Sequence, residues 1–286
     1  MPIDYISFDS EDYPEPLRAI PDPPRGLYII GDKALLKQRQ IAMVGSRKCT
    51  QAALALSKQW AAELASYDIV VTSGMALGID AAAHAGALST GKTLAVMGCG
   101  LNYVYPKQNA TLIKTMIAKG GAIVSEYPPD TAARTQYFPQ RNRIISGLSV
   151  GVVVIEAAER SGTLITARLA SEQGRDVFAV PGHIANPNTA GCHRLIQQGA
   201  KLVTSVRDIV EDYPWISLLS QSPTPPSLSA NERSILGALG TYTVSVDELV
   251  TKSGLAFVEV CSILLQLECQ GIVRKVSGGY QKTGIG

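Results

Sequence analysis

The sequence predicts an α/β protein, in which a Rossmann-like, doubly wound and mostly parallel sheet is followed by a small C-terminal winged-helix domain. Three observations predict this fold class. Short apolar runs alternate with helical segments rich in Ala and Leu over residues 41–204. A stretch rich in Pro and Ser, without a charged residue, follows at 214–228. Beyond it, residues 229–286 have the pattern of three short helices and a hairpin.

The apolar runs are the predicted strands. Most carry too few polar residues for a solvated face, which is typical of parallel strands covered by helices on both sides. Helical segments at 52–66, 81–90 and 164–173 lie between them and supply right-handed crossovers. The predicted strands are 41–44, 69–72, 94–97, 122–125, 150–155, 177–180 and 201–204.

The same patterns set the predicted domain boundaries. We expect a Rossmann-like domain at 1–213, a linker at 214–228 and a winged-helix-like domain at 229–286. In the last of these, Ser229 caps a first helix, and further helices follow at 246–252 and 256–270. Residues 271–281 complete a hairpin that turns at 278–279. Three helices and a hairpin in this order resemble a winged helix.

Composition indicates a soluble globular protein, with 46% hydrophobic and 17% charged residues. The net charge of +2 is too small to indicate a nucleic-acid partner, so any electrostatic case depends on local clusters. Five cysteines without a C-x-x-C pair favour reduced thiols. The chain start lacks a signal-peptide pattern, and no apolar stretch is long enough for a membrane span. We therefore expect a cytoplasmic protein.

The loops after the predicted strands are expected to carry the function, since ligands of open α/β sheets bind beyond the carboxyl ends of the strands. The first strand leads into Gly45-Ser46-Arg47, where a small residue exposes backbone N–H groups and a guanidinium offers two donors to a phosphate. Arg160-Ser161-Gly162 precedes a helix and offers hydroxyl and backbone donors beside a charge. Taken singly, each loop is equally well an ordinary turn or cap.

The segment 137–145 is the most informative. Arg141 and Arg143 follow Pro139, a residue suited to the first turn of a helix. Cations in that turn would oppose the positive end of the helix dipole, which indicates an anion nearby. Phe138 offers a ring on which a base can stack, an interaction of about 1–3 kcal/mol per base. The alternative is a surface helix start with Phe138 in the core and solvated arginines.

Several enzyme and cofactor signatures are absent from the sequence. Gly98 and Gly100 are not completed to a dinucleotide fingerprint, because Tyr103 stands at the third glycine position. Walker A and G-x-S-x-G patterns are missing, and the adjacent Cys192 and His193 lack the spacing of zinc ligands. We therefore expect no catalytic residue, no cofactor and no metal.

Together the motifs resemble the DNA-processing protein A family (DprA, also called Smf). The resemblance begins at Tyr13-Pro14 and Gly45-Ser46-Arg47, continues through Phe138-Pro139 and Arg141-Asn142-Arg143, and reaches 161–167 and Gly199-Ala200 in the family's order. The tail from about 227 is a weaker match to the family's winged-helix module. Many members carry an extra helical domain before the Tyr-Pro motif, so we expect a short-form member or a truncated chain.

The resemblance implies a sequence-independent single-stranded DNA-binding protein rather than an enzyme. Such a protein protects incoming DNA, helps load the RecA recombinase in natural transformation and recombination, and forms homodimers. By motif match, the DNA contacts fall on Ser46, Arg47, Phe138, Arg141, Asn142, Arg143, Arg160, Ser161 and Gly162. The alternative is a nucleotide-processing, phosphoribohydrolase-like Rossmann enzyme, although the P-G-G-x-G-T motif of that group is missing.

The charges of the tail indicate a separate role for the winged helix. Residues 226–286 contain five basic and five acidic residues. The predicted third helix holds Glu259 and Glu268 but no Lys or Arg. Such a helix would repel phosphate. We predict that this module contacts protein or regulates the chain rather than reading duplex DNA.

Overall fold

The computed structural model describes residues 2–219, 229–239, 243–269, 272–276 and 278–282. The chain divides into two compact units, Met1–Ser220 and Gln221–Gly286. Within the described residues, no helix is long and apolar enough to cross a membrane.

The first unit is built on a nine-stranded sheet. Its strands are β1 (Asp4–Ser7), β2 (Gly26–Gly31), β3 (Gln40–Val44), β4 (Val70–Ser73), β5 (Thr93–Met97), β6 (Ala122–Ser125), β7 (Gly151–Val154), β8 (Asp176–Ala179) and β9 (Lys201–Leu202). Their order across the sheet is β1-β2-β6-β5-β4-β3-β7-β8-β9. Among the described strand pairs of this sheet, β1–β2 and β2–β6 are antiparallel and the others are parallel. The mostly parallel sheet confirms the predicted fold class.

Helices cover both faces of this sheet. They are α1 (Glu15–Arg18), α2 (Gln51–Ser66), α3 (Ile79–Ala87), α4 (Ala110–Ala118), α5 (Tyr137–Leu148), α6 (Thr163–Glu172), α7 (Ala190–Gln197), α8 (Val206–Val210) and α9 (Pro214–Leu219). Because successive strand residues point to opposite faces, Ala42 and Val44 of β3 join one core, while Ile41 and Met43 join the other. Apolar strands sandwiched between helices explain why the sequence runs lacked alternation.

Two features of the first unit differ from the sequence predictions. Strands β1 and β2 were not predicted. β1 is a short edge strand with Ile6 as its one buried residue. The predicted linker is wrong for Pro214–Leu219, which form α9, and Ile216 there is fully buried in the core. The rest of the predicted linker, 220–228, lies outside the described residues.

Among its described residues, the second unit has three helices, α10 (Ala230–Ala238), α11 (Val246–Ser253) and α12 (Phe257–Cys269). They are followed by an antiparallel hairpin of β10 (Val273–Val276) and β11 (Gly279–Lys282). Ser229 and Glu232 form a capping box at the start of α10. Gly254 ends α11 with φ 70°, a left-handed conformation that favours glycine. This arrangement confirms the winged-helix prediction.

Candidate functional site

A cleft of about 690 Å³ opens beyond the carboxyl ends of β3, β4 and β7. The chain order across the sheet reverses between β3 and β7, since β4, β5 and β6 follow on one side and β8 and β9 on the other. Ligands of doubly wound sheets bind at such a switch point. Of the nine predicted contact residues, all except Arg143 line the cleft: Ser46, Arg47, Phe138, Arg141, Asn142, Arg160, Ser161 and Gly162.

Arg141 forms part of the buried floor of the cleft, with only 4% of its surface exposed. Its Nη1 donates hydrogen bonds to the carbonyl oxygens of Gly74 (2.5 Å) and Val96. Its Nε donates to the Asn142 Oδ1 at 3.2 Å. Burial lowers the pKa of Arg141 to about 10. The guanidinium thus ties α5 to the ends of β4 and β5.

Asp80 is the acidic residue that lines the cleft, and it is buried. Its Oδ2 accepts hydrogen bonds from the N–H groups of Gly74 (3.2 Å) and Ala76 (3.3 Å). Burial raises the pKa of Asp80, and the nearby charge of Arg141 opposes that shift. The loop after β4 is therefore held by a carboxylate at one side and a guanidinium at the other.

Arg143 is the one predicted contact residue that does not line the cleft, and its contact with DNA stays a prediction. Its guanidinium bonds the carboxylates of Glu126 (Nη2–Oε1, 2.5 Å) and Asp22 (Nε–Oδ2, 3.0 Å). The side chain is only 13% exposed. Burial lowers the pKa of Arg143, but the hydrogen bonds and charges of the two carboxylates outweigh burial and raise it. These ion pairs account for the arginine without an external anion.

The predicted placement of Arg141 and Arg143 in the first turn of their helix is wrong. Helix α5 begins at Tyr137, so Arg141 and Arg143 lie in its second turn rather than its first. The positive end of the helix is therefore not adjacent to either guanidinium, because the dipole effect is confined to the terminal turn. Ile144, Ile145 and Leu148 form the apolar side of this helix, and all three are buried.

Phe138 is half-buried and lies on the wall of the cleft. Its ring packs over Gly98, where an added Cβ would lie 2.8 Å from the Phe138 Cδ1. Tyr105, which is 43% exposed, packs against the same ring with centroids 5.1 Å apart. The Arg47 guanidinium carbon lies 5.8 Å from the Phe138 centroid. The cleft thus presents an aromatic wall with a cation beside it.

The loop after β3 is fixed by the chain around it. The Ser46 N–H donates to the Glu156 carbonyl (2.8 Å), and the Ser46 Oγ accepts from the Lys48 N–H (3.1 Å). Gly45 is required by packing, because a Cβ there would lie 2.5 Å from the Ile79 Cγ1. The Ser46 N–H is thus engaged within the chain, and the loop presents the exposed side chains of Arg47 and Lys48.

The loop before α6 is partly fixed by its own hydrogen bonds and partly open. The Ser161 Oγ accepts the Thr163 N–H at 3.2 Å, a local turn just before the helix. Gly162 faces open space, since an added Cβ would have nothing within 4 Å. Arg160 is exposed beside it. A ligand that approaches this loop would therefore meet the Gly162 backbone next to the Arg160 guanidinium.

Exposed charge on the cleft is positive. Arg47, Lys48 and Arg160 are exposed, whereas the lining carboxylate of Asp80 is buried and bonded. Lys48, Asp80 and Tyr105 belong to the cleft but were not among the predicted contacts. Lys48 carried a sequence signal as the neighbour of Arg47, whereas Tyr105 lies far along the chain and reaches Phe138 only through the fold.

No group of three or more His, Cys, Asp or Glu side chains within the described ranges could hold a metal ion.

Comparison with known proteins bears on this geometry. The family model of DNA recombination-mediator protein A matches residues 4–214. The chain belongs to this family. The DprA winged helix domain matches residues 220–279. These matches confirm the resemblance to DprA and Smf proteins and the winged-helix assignment.

Individual relatives cover most of the chain. Protein Smf of Escherichia coli (strain K12) is 42% identical over 284 residues, which span 96% of this chain and 76% of that protein. The DNA processing protein DprA of Bacillus subtilis is 44% identical over 74% of this chain and 72% of its own length. The X-ray structure of DprA from Streptococcus pneumoniae matches with a TM-score of 0.70 and 44% identity, over 73% of this chain and 74% of that one.

A further solved structure, described as showing the unique single-stranded DNA binding mode of DNA processing protein A from Helicobacter pylori, is also similar. It has a TM-score of 0.67 and 30% identity, and the match covers 74% of this chain and 96% of that chain.

Proposed function

We propose that the cleft binds single-stranded DNA without sequence preference. The observation that carries the proposal is the meeting of exposed cations, Arg47, Lys48 and Arg160, with the aromatic wall of Phe138 and Tyr105. Cations follow a phosphate backbone, and rings accept any base, since every base has a π-face. The single-stranded DNA binding named for the Helicobacter pylori relative supports the same ligand.

The ring geometry favours single strands over duplex. Bases in a duplex are stacked on one another, so they can reach a ring on a cleft wall only after unstacking. Phe138 is half-buried on the lining of the cleft, whereas Arg47, Lys48 and Arg160 are exposed there. Duplex DNA would engage the cations alone, which gives weak, salt-dependent binding.

The test compares single- and double-stranded oligonucleotides by fluorescence anisotropy over a range of salt. Arg47→Ala should weaken binding to all sequences alike and flatten the salt dependence by about one released ion. Phe138→Ala should lose about 1–3 kcal/mol with little change in the salt slope. Arg207→Ala is the matched control, because Arg207 is an exposed arginine of α8 that pairs with Glu211. Equal binding of single strands and duplex by the wild type would refute the proposal.

We further propose that the protein acts by binding rather than by catalysis. The ionisable groups at the cleft floor are engaged internally, Arg141 by backbone carbonyls and Asp80 by backbone N–H groups. Family membership supports a role in transformation and recombination. As further parts of this proposal, RecA is the protein partner, the protein is a homodimer, and its location is cytoplasmic. A RecA strand-exchange assay on DNA coated by a single-strand-binding protein tests the loading step.

For the winged helix, we retain the proposal of a protein-contact or regulatory role. The exposed positions of α12 include Phe257 (56%), Val258 (78%) and Leu265 (62%), and its Glu259 accepts a hydrogen bond from Asn231. An apolar, acidic helix surface suits a protein partner better than phosphate. Strong, salt-sensitive duplex binding that depends on this helix would contradict the proposal.

A further inference from the structure

A second aromatic group lies directly beside the cleft and is not part of it. The rings of Tyr127 and Tyr137 stack with centroids 4.1 Å apart and planes at 26°. The guanidinium carbon of Arg134 lies 5.7 Å from the Tyr137 centroid. We call Arg134, Tyr137 and Tyr127 the tyrosine platform. Like the cleft wall, it combines one arginine with two packed aromatic rings; in the wall, Arg47 lies over Phe138 and Phe138 packs on Tyr105.

The start of α5 places the two aromatic groups next to each other. Thr135 and Phe138 line the cleft, whereas Arg134 and Tyr137, each one residue earlier, form the platform. Tyr137 and Phe138 are consecutive residues of α5, so their side chains point about 100° apart around the helix axis, while Arg134 and Thr135 lie just before the helix. A strand that leaves the cleft around the start of α5 therefore meets the platform next.

The platform is held in place before any ligand arrives. The Tyr127 hydroxyl donates to the Gln140 Oε1 at 2.9 Å, which fixes this ring against α5. Glu126, the acidic neighbour of Tyr127, is bound by Arg143 at 2.5 Å. Arg134 itself is exposed, and within the described part of the chain it forms no ion pair. Pre-oriented rings lose little freedom when a base stacks on them.

We propose that the tyrosine platform is a second base-stacking subsite, which binds a nucleobase of the same single strand where it leaves the cleft, with Arg134 contacting the adjoining phosphate. This inference rests on the proposed single-strand binding by the cleft. It assigns Arg143 a positioning role, since that arginine holds Glu126 away from the strand. The subsite is independent of base identity, because stacking on tyrosine needs only a π-face.

The test uses the length dependence of binding by the full chain. Oligothymidylates from about 4 to about 16 nucleotides, the span of known single-strand site sizes, are titrated against each variant. Tyr137→Leu removes the ring, Tyr137→Phe keeps it, and Arg134→Gln removes the exposed cation without touching the core. Tyr5→Leu is the matched control, because Tyr5 is a 53% exposed ring that packs on Tyr28 at 4.7 Å in edge strand β1.

The expected result separates short from long strands. Tyr137→Leu should bind the shortest oligomers as the wild type does, yet bind the longest roughly 5- to 140-fold more weakly. Tyr137→Phe and Tyr5→Leu should follow the wild type. Arg134→Gln should lose part of the same gain with length, and it decides the matter if Tyr137→Leu does not fold.

Other outcomes overturn the proposal. If Tyr137→Leu, or Arg134→Gln in its place, gains as much affinity with length as the wild type, the platform does not bind a base, while the cleft proposal stands. If the wild type binds no oligomer of any length, both proposals fail. A 2-aminopurine placed along the long strand gives a direct readout, because its fluorescence should be quenched at two separate positions in the wild type and at one in Tyr137→Leu.

Discussion

Replacing Arg141 by alanine tests whether this residue is a part of the frame or a DNA contact. The substitution removes the donors to the Gly74 and Val96 carbonyls and leaves the buried Asp80 carboxylate without its compensating positive charge. A buried acceptor that loses its donor destabilises a protein by about 1–3 kcal/mol. Removing one charge of a buried set costs about 3–5 kcal/mol in total, and the two effects overlap rather than add.

We therefore expect Arg141→Ala to lower the free energy of unfolding by about 3–5 kcal/mol. For a chain of this size each kcal/mol shifts Tm by about 2–4 °C, so Tm should fall by roughly 6–20 °C. Urea and thermal unfolding followed by circular dichroism measure both quantities. Arg47→Ala is the contrasting variant, because Arg47 is exposed and should change stability by no more than about 0.5 kcal/mol.

The binding measurement completes the comparison. At a temperature where Arg141→Ala is still folded, it should lose less of the salt dependence of DNA binding than Arg47→Ala. The reasoning is refuted if Arg141→Ala unfolds at the same urea concentration as the wild type and loses the same salt slope as Arg47→Ala. That result would mean that the guanidinium turns outward to phosphate and does not hold the β4 and β5 ends.

Three further variants are informative. Gly162→Ala should leave the free energy of unfolding unchanged or raise it by about 0.4–1 kcal/mol, because the added Cβ enters open space. The same Cβ lies on the cleft and should weaken single-strand binding. Unchanged binding would argue against a DNA contact at Gly162. Burial lowers the pKa of His84 to about 3, so its contribution to stability is present above its unfolded pKa and is lost as pH falls from about 6.5 toward 3. Between about pH 6 and 4, the free energy of unfolding of His84→Gln should therefore fall less steeply than that of the wild type, by up to about 1.4 kcal/mol per pH unit. His183→Gln is the control, because His183 is exposed. Equal slopes for His84→Gln and the wild type would contradict the prediction. Val258→Lys with Leu265→Lys should leave oligonucleotide affinity unchanged; a large gain in duplex affinity is expected only if the winged helix already contacts DNA.

The sequence was sufficient to predict the parallel core, because short apolar runs with too few polar residues for a solvated face are typical of parallel strands covered by helices. It was also sufficient to bring Ser46, Arg47, Phe138 and Arg160 to one region, since the carboxyl ends of parallel strands share an edge. Whether these residues bind DNA stays a prediction. Strand β1 escaped prediction because a short edge strand with one buried residue carries a weak pattern, and β2 lies before the alternation of strands and helices that begins at residue 41.

The roles of the arginines could not be predicted from their spacing. Arg141 and Arg143 are two residues apart on α5, so they point in different directions, one into the cleft floor and the other toward Glu126. The partners that decide these roles, Gly74 and Val96 for one and Asp22 and Glu126 for the other, are distant along the chain. Only tertiary structure distinguishes an arginine that builds a site from one that contacts a ligand.

The buried clamp made by Arg141 and Asp80 has a consequence for how this protein can change over time. Its frame residues are internal, while the exposed cations at Arg47, Lys48 and Arg160 contribute little to holding the chain together. Substitutions at those three positions can change the affinity for a ligand with little effect on the stability of the fold. Affinity is therefore open to gradual adjustment, by natural selection or by design, on a scaffold that does not have to be rebuilt.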